Sequence, residues 1–315
     1  LAIPFRTLRY APGQGPRAWG VNVARMVRSR NEESLWRAWG RDQGLQRVSL
    51  AGQLDGLAAL PRTGLALDLK PYVLTSGTQQ SAHEVGRAKV GLDAKWEVVP
   101  GLTLDLTTNT DFAQVEADSQ QVNLTRFSLF FPEKRDFFLE NGGAFQFGIR
   151  GLFEPPPLVL FFSRRIGTSD SGEVPLLGGA RLSGRVGHET IGLLDAITDA
   201  RIGQAGSNYA VARIKRDVGK AGYVGGIVTD VHRASGFANT AGGADALLWL
   251  TPQVSMQALV AGSRTSDGSY GTAYRVGLRY QGDLAGVTAF TYGITPGMEV
   301  DAGFMPRADV RRVRV

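Results

Sequence analysis

Period-two alternation of apolar and polar residues recurs along most of the chain. Leu102, Leu104 and Leu106 alternate with Thr103, Asp105 and Thr107, and Val90–Glu97 follows the same rule. Leu65, Leu67, Leu69, Pro71 and Val73 fall on one face, against Asp68, Lys70 and Tyr72 on the other. Further on, Tyr274, Val276, Leu278 and Tyr280 oppose Arg275, Gly277, Arg279 and Gln281, and 180–186 and 254–258 alternate too. Successive side chains of a strand point to opposite faces, so these runs predict sheets with one apolar and one polar side. From Gln46 onward the pattern predicts about a dozen strands of about ten residues each. Before it, Leu1–Tyr10 and Trp19–Val27 read as two strands around a turn at Pro12–Pro16, and Asn31–Trp36 reads as a polar, aromatic connector. No window holds the roughly 18 consecutive apolar residues of a membrane helix.

Two architectures produce such alternation. A soluble β-sandwich hides its apolar faces between two sheets. A membrane barrel turns them outward to lipid, keeps a polar lumen, and carries aromatics at the ends of its apolar band. Trp96, Tyr274, Tyr280 and Tyr292 lie near strand ends on the apolar face. Turns at Val99–Gly101, Asp217–Lys220 and Gln281–Asp283 are short, whereas Ser76–Gly86, Ser235–Gly243 and Ser263–Gly271 read as longer Gly/Ser-rich loops. Short turns on one side and long loops on the other favour the barrel. The expected fold is therefore all-β, an antiparallel outer-membrane β-barrel. The chain opens on Leu1-Ala2-Ile3-Pro4-Phe5 without an initiator Met or signal segment, and it closes at Val315 inside a strand-like run. Both ends predict a piece of a longer protein, the barrel being partial.

Composition narrows the picture in two ways. The 315 residues include 41 Gly, about 13% and near twice the usual share. With 43% hydrophobic residues, that excess suits many turns and small in-facing positions rather than disorder. Zero Cys excludes disulfides and thiolate metal sites. The net charge of +6 comes from arginines spread over strands and turns, so a solvated lumen that attracts anions accounts for it better than a nucleic-acid surface.

One segment resists the strand pattern. Asn109–Phe147 is dense in charged and aromatic residues, more than a solvated loop or a spanning strand accommodates. It predicts a lumenal insert, or plug, within the barrel. Its charges are Asp111, Glu116, Asp118, Arg126, Glu133, Lys134, Arg135, Asp136 and Glu140, and Phe130, Phe131, Phe137 and Phe138 are its packing anchors. Charge buried without a partner is costly. Arginines at 164, 165, 181, 185, 275 and 279 are the candidate wall partners for the insert's carboxylates. A Ca²⁺ site at Asp111, Glu116 and Asp118 is the sharper alternative, but the spacing matches no calcium loop and lacks its glycine. A glycosidase-like carboxylate pair among Glu133, Asp136 and Glu140 is another. His83, His188 and His232 lie far apart in turn-like contexts and read as solvated. No catalytic elbow, Walker loop or dinucleotide fingerprint is present.

These residues resemble a known family. Ala2–Arg9 with Trp19-Gly20-Val21-Asn22 and Arg25 is similar to the closing strands of a family-9-type carbohydrate-binding domain. In certain bacterial proteins that domain precedes a large outer-membrane barrel of unknown function. The barrel's signature resembles Asn109–Asp118, Val122-Asn123-Leu124, Phe130–Glu140 and Ser163-Arg164-Arg165-Ile166-Gly167. Thr110 and Asp136 stand where that signature carries proline. The resemblance implies residues 1–40 as the end of the carbohydrate-binding-like domain plus connector, and 41–315 as barrel with 109–147 inserted. It implies outer-membrane lipid as surroundings and saccharides or other small solutes as ligands, with no cofactor. Trp19 and Trp36 are large aromatics whose ordinary role is core packing, a sugar-stacking role being the alternative. Passage or capture of a solute is the function these readings support, against a cell-surface glycan hydrolase or a structural surface protein.

Overall fold

The computed structural model describes residues 18–37, 51–56, 67–80, 83–110, 131–148, 157–169, 172–200, 205–219, 221–282 and 285–315. The chain divides into two units, Leu1–Gly64 and Leu65–Val315. In the first, β1 (Trp19–Val21) pairs with β4 (Gly52–Leu54), and β2 (Ala24–Val27) pairs with β3 (Glu32–Leu35). The run expected as one strand, 19–27, is therefore two strands with different partners, and the expected connector contains β3. Asn31 takes the left-handed turn between β2 and β3 at φ 49°, which asparagine tolerates better than most residues. The Trp36 ring lies on Gly52, where a methyl group would come within 2.6 Å of it.

The second unit is one antiparallel meander of twelve strands. β5 (Leu67–Gln80), β6 (His83–Val99) and β7 (Leu102–Thr110) lead into a long connection, which holds the small hairpin of β8 (Thr168–Ser169) and β9 (Gly172–Glu173). The sheet resumes with β10 (Leu176–Val186), β11 (Glu189–Thr198), β12 (Ser207–Val218) and β13 (Gly222–Arg233). It ends with β14 (Ala238–Trp249), β15 (Val254–Thr265), β16 (Tyr270–Gln281), β17 (Gly286–Ile294) and β18 (Val310–Arg314). β7 pairs directly with β10, and β5 and β18 form the two edges of this order.

The sheet is inside-out. Val73, Leu92, Leu193, Ile214, Val228, Val260, Val276 and Leu278 are exposed on one face. Thr103, Asp105, Arg181, Ser183, Arg213, Thr229, Asn239, Asp245 and Ser263 are buried on the other. A soluble sandwich requires the opposite arrangement. Tyr270 and Tyr280 bracket the outward face of β16, ten residues apart, or about 33 Å along the strand. At a tilt of about 40° that spans about 25 Å, the height of an outer-membrane apolar band. Trp249 and Tyr280 stand at the short-turn end, where Pro100–Gly101, Gly187–His188 and 250–253 reverse the chain. The sheet is the wall of an outer-membrane β-barrel, and the outer membrane is where the protein resides.

Three expectations need correction. Ser76–Gln80, His83–Gly86, Ala238–Gly243, Ser263–Thr265 and Tyr270–Gly271 are strand residues, and the loops after β13 and β15 shrink to 234–237 and 266–269. Glycine and serine in those runs are small wall positions rather than loop signals. Tyr292 faces inward and packs on the core instead of joining the outer aromatics. His232 belongs to β13, with its Nε2 2.6 Å from Asp230 on the outward face.

Candidate functional site

The inward face is filled by two segments. The first is the β7–β10 connection, described over 131–148 and 157–169, where it forms one α-helical turn, α1 (Asp136–Leu139), and 3-10 turns at Gly142–Phe145 and Ser163–Arg165. The second, unanticipated from sequence, is the β17–β18 connection, whose Met298, Val300, Ala302 and Phe304 are buried. The two join through an antiparallel bridge between Val159 and Phe304, with both N–H···O bonds at 2.8 Å. Asn239 on the wall holds the second segment, accepting from the Asp301 N–H (3.0 Å) and donating to the Glu299 carbonyl (3.2 Å). Arg233 meets Asp301 at 2.7 Å.

Glycines on the inward face act as sockets for the first segment's aromatics. A methyl group at Gly179 would come within 3.0 Å of the Phe137 ring, at Gly192 within 3.0 Å of Phe145, and at Gly243 within 2.8 Å of Phe147. Phe138, Phe145 and Phe147 are each about 95% buried. Burial of each contributes about 1.5–3 kcal/mol to seating the insert. Phe137 and Phe138 meet edge to face at 4.9 Å, and Phe131 lies under the Arg164 guanidinium, 5.9 Å from the ring centroid.

Arg135 is the hub of the insert. Its Nε and Nη2 donate to the two Glu133 oxygens at 2.8 and 2.7 Å, and it also donates to the carbonyls of Ile166 (2.5 Å) and Ser163 (2.6 Å). The Ser163 hydroxyl donates to Glu133 at 2.6 Å, and the Arg135 guanidinium covers the Phe138 ring at 4.4 Å. The two motifs at 130–140 and 163–167, distant in sequence, are therefore one hydrogen-bonded unit. Burial pushes the Glu133 carboxyl up, but the hydrogen bond and charge of Arg135, with the Ser163 hydroxyl, outweigh it and hold the group at about 2.

A group depressed in this way stabilises the fold above its unfolded value of 4.5 and loses that contribution as pH falls towards 2. The shift corresponds to about 3 kcal/mol. Protection factors at residues 133–138 and 163–166, the exchange rates taken relative to the intrinsic rate at each pH, are expected to fall between pH 4.5 and 2.5. In Glu133→Gln they should be low throughout and independent of pH; an acid-insensitive protection factor in the wild type would refute the assignment.

Among the described residues, Arg181 and Arg185 pair within the wall. Glu140 of the insert pairs with Lys95 on β6, which also lies 3.8 Å from Asp105. Arg181 spends its charge on Asp105 of the neighbouring strand, Nη2 to Oδ2 at 2.8 Å, beneath the Phe137 ring. Arg185 pairs with Asp217 near the short-turn end. Arg165 donates to the Gly303 carbonyl at 3.1 Å and Arg164 to that of Pro132 at 3.4 Å, so both belong to the filling rather than the wall. Arg275 lies against the Phe290 ring at 4.8 Å, and Arg279 is exposed on the inward face. For Arg181 the reason for its pairing is register, since Asp105 stands directly opposite it on β7. Lys134 is half-buried and Asp136 exposed. Asp111, Glu116, Asp118, Arg126 and Phe130 lie outside the described residues.

Sequence reasoning missed the most deeply buried pair. Arg213 on β12 and Asp245 on β14 meet at 2.6 Å with side chains 0% and 1% exposed. Gly225, on the strand between, leaves space for the guanidinium: a methyl there would stand 2.7 Å from Arg213 Nη1. The Gly148 N–H donates to Asp245 at 2.8 Å and the Tyr223 hydroxyl at 3.1 Å, while Phe147 covers Arg213. A lone Asp in the small and apolar run Ala241–Trp249 was the available signal.

No curated protein sequence matches the chain. Among solved structures, it is similar to outer-membrane-expressed OmpT of Vibrio cholerae, at 11% identity over 80% of this chain and 96% of that one, TM-score 0.31. It is also similar to OccK11 (OpdR) of Pseudomonas aeruginosa, at 10% identity over 73% of this chain and 54% of that one, TM-score 0.34. Residues 63–281, more than half of the chain, match a protein family, and the chain belongs to it: the family described as a domain of unknown function, DUF5916.

Proposed function

We propose that this barrel passes or captures small solutes across the outer membrane, with the 109–147 segment as its plug. The observation that carries this reading is the polar inward wall covered by a segment seated in glycine sockets. Apolar residues face lipid, hydrogen-bonding groups face the lumen, and the covering segment rests on side-chain contacts that can be released without breaking the sheet ladders. The saccharide connection rests on the resemblance of the first unit to a carbohydrate-binding domain. The hydrolase alternative is weakened by chemistry. A general acid must hold its proton near neutral pH, whereas Glu133 is clamped at about 2 and Glu140 is paired with Lys95.

The first test compares gel mobility of the outer-membrane fraction with and without boiling. The unboiled protein is expected to migrate faster, as a closed barrel does. Identical mobility in a soluble fraction would remove both the barrel and the passage.

A further inference from the structure

The β17–β18 connection crosses the wall strands one at a time. On β16, the Thr295 N–H donates to the Thr272 carbonyl at 2.9 Å, and the Thr272 N–H donates to the Thr295 hydroxyl at 2.8 Å. On β15, the Ser263 hydroxyl accepts from the Glu299 N–H at 2.9 Å. On β14, Asn239 holds both Glu299 and Asp301, and on β13 Arg233 meets Asp301. Residues 295–301 thus lie across four neighbouring strands, with an anchor on each. Arg233 is 42% exposed, and a pair so open to water contributes little. Asn239 and Ser263 are buried, so the hold on the wall rests on them.

Beyond Asp301 the same segment grips the insert. The Ala302 carbonyl accepts from the Phe162 N–H at 2.8 Å, and the Gly303 carbonyl accepts from Arg165 Nε at 3.1 Å. The bridge from Phe304 to Val159 follows, and the Phe162 and Phe304 rings meet edge to face at 5.6 Å. Glycine is required at 303, because a side chain there would collide with the Val159 and Leu160 carbonyls. The gripped arm carries Ser163 and Ile166, whose carbonyls accept from Arg135. Hydrogen bonds therefore link the wall to residues 131–148 by way of 295–304 and 157–166. No hydrogen bond or ion pair among the described residues joins Asn239, Ser263 or Asp301 to 131–148 directly.

We propose that residues 295–304 are a strap that keeps the insert seated, so that freeing the strap from the wall unseats the insert. The glycine sockets hold the aromatics of the first arm, and the strap holds the second. The Asn239 and Ser263 side chains make its hydrogen bonds to β14 and β15, so these can break while every ladder of the sheet stays paired. The inference rests on the reading of 109–147 as a plug, but unseating and passage are measured separately.

The experiment compares the full protein with Asn239→Ala/Ser263→Ala, which leaves the backbone ladders untouched. Hydrogen exchange and limited proteolysis report on residues 131–148, and planar-bilayer conductance reports on passage. Protection of 131–148 is expected to fall about tenfold in the variant, with heat-modifiable migration retained. Faster exchange confined to 295–304, with 131–148 unchanged, would overturn the strap. A second variant, Val159→Cys/Phe304→Cys, decides the matter should the first fail to fold. The sequence has no Cys of its own, and directly bridged residues are spaced for a disulfide. Oxidation is expected to raise protection of 131–148 above that of the reduced form, and equal protection in the two forms would overturn the proposal. Unseating without any rise in conductance would uphold the strap and reject the plug reading.

Discussion

Asp245→Ala is expected to be the most destabilising single substitution in the wall. It strands the Arg213 guanidinium, 0% exposed, with no countercharge. Removing one partner of a buried pair costs about 3–5 kcal/mol. It also removes the acceptor for the Gly148 N–H and the Tyr223 hydroxyl, which adds about 1–3 kcal/mol for the buried amide. Arg213→Met should cost less, because the carboxylate left behind keeps two donors whereas the stranded guanidinium keeps none. Combining Arg213→Met with Asp245→Leu should recover part of the loss, since no charge is left buried. Urea unfolding of each variant in lipid vesicles checks the order. Equal midpoints for the two single variants would show that the donors on Asp245 contribute nothing.

Gly179→Val with Gly192→Val is expected to unseat the insert and leave the wall intact. Each added side chain enters the space of a phenylalanine ring, Phe137 or Phe145, at 3.0 Å from the first methyl onward. Overpacking of this kind costs about 1–3 kcal/mol per site. The wall is held by backbone ladders on both sides of β10 and β11, whereas the insert is held by side chains, so the insert yields. The variant should retain heat-modifiable migration, expose residues 131–148 to protease and conduct more than wild type. Gly243→Val is the contrasting case: its first methyl would meet the Val260 carbonyl at 2.5 Å, so there the ladder itself suffers. A well-folded double variant with a protected insert and unchanged conductance would show that Phe137 and Phe145 do not seat the insert.

Strands with clean alternation, such as Leu102–Thr107 and Tyr274–Gln281, were legible from sequence because one face is uniformly apolar. Ala238–Gly243 was not, because Ala, Asn, Thr and Gly on a wall and in a loop look alike until the partner strands are known. The segment from 109 to 147 was legible as a departure from the strand pattern, by its charge and aromatic density. Its ion pairs were not. Lys95–Glu140 and Arg213–Asp245 depend on which residues the register brings together, and neither spacing has a local signature. The Arg135 hub lay between the two legible cases: its residues stood out, but their union through Ser163 and Ile166 required the fold.

The position of the insert also bears on how the sheet assembles. Most neighbouring strands are joined by turns of a few residues, but β7 and β10 meet only after about 65 residues have been looped out. For a flexible chain that closure costs about 2.5 kcal/mol more than a four-residue turn. The β10–β17 hairpins can zip locally, while β5–β7 must wait until the insert has folded and drawn its ends together. The β7–β10 seam is then the joint of this meander that carries the largest closure cost.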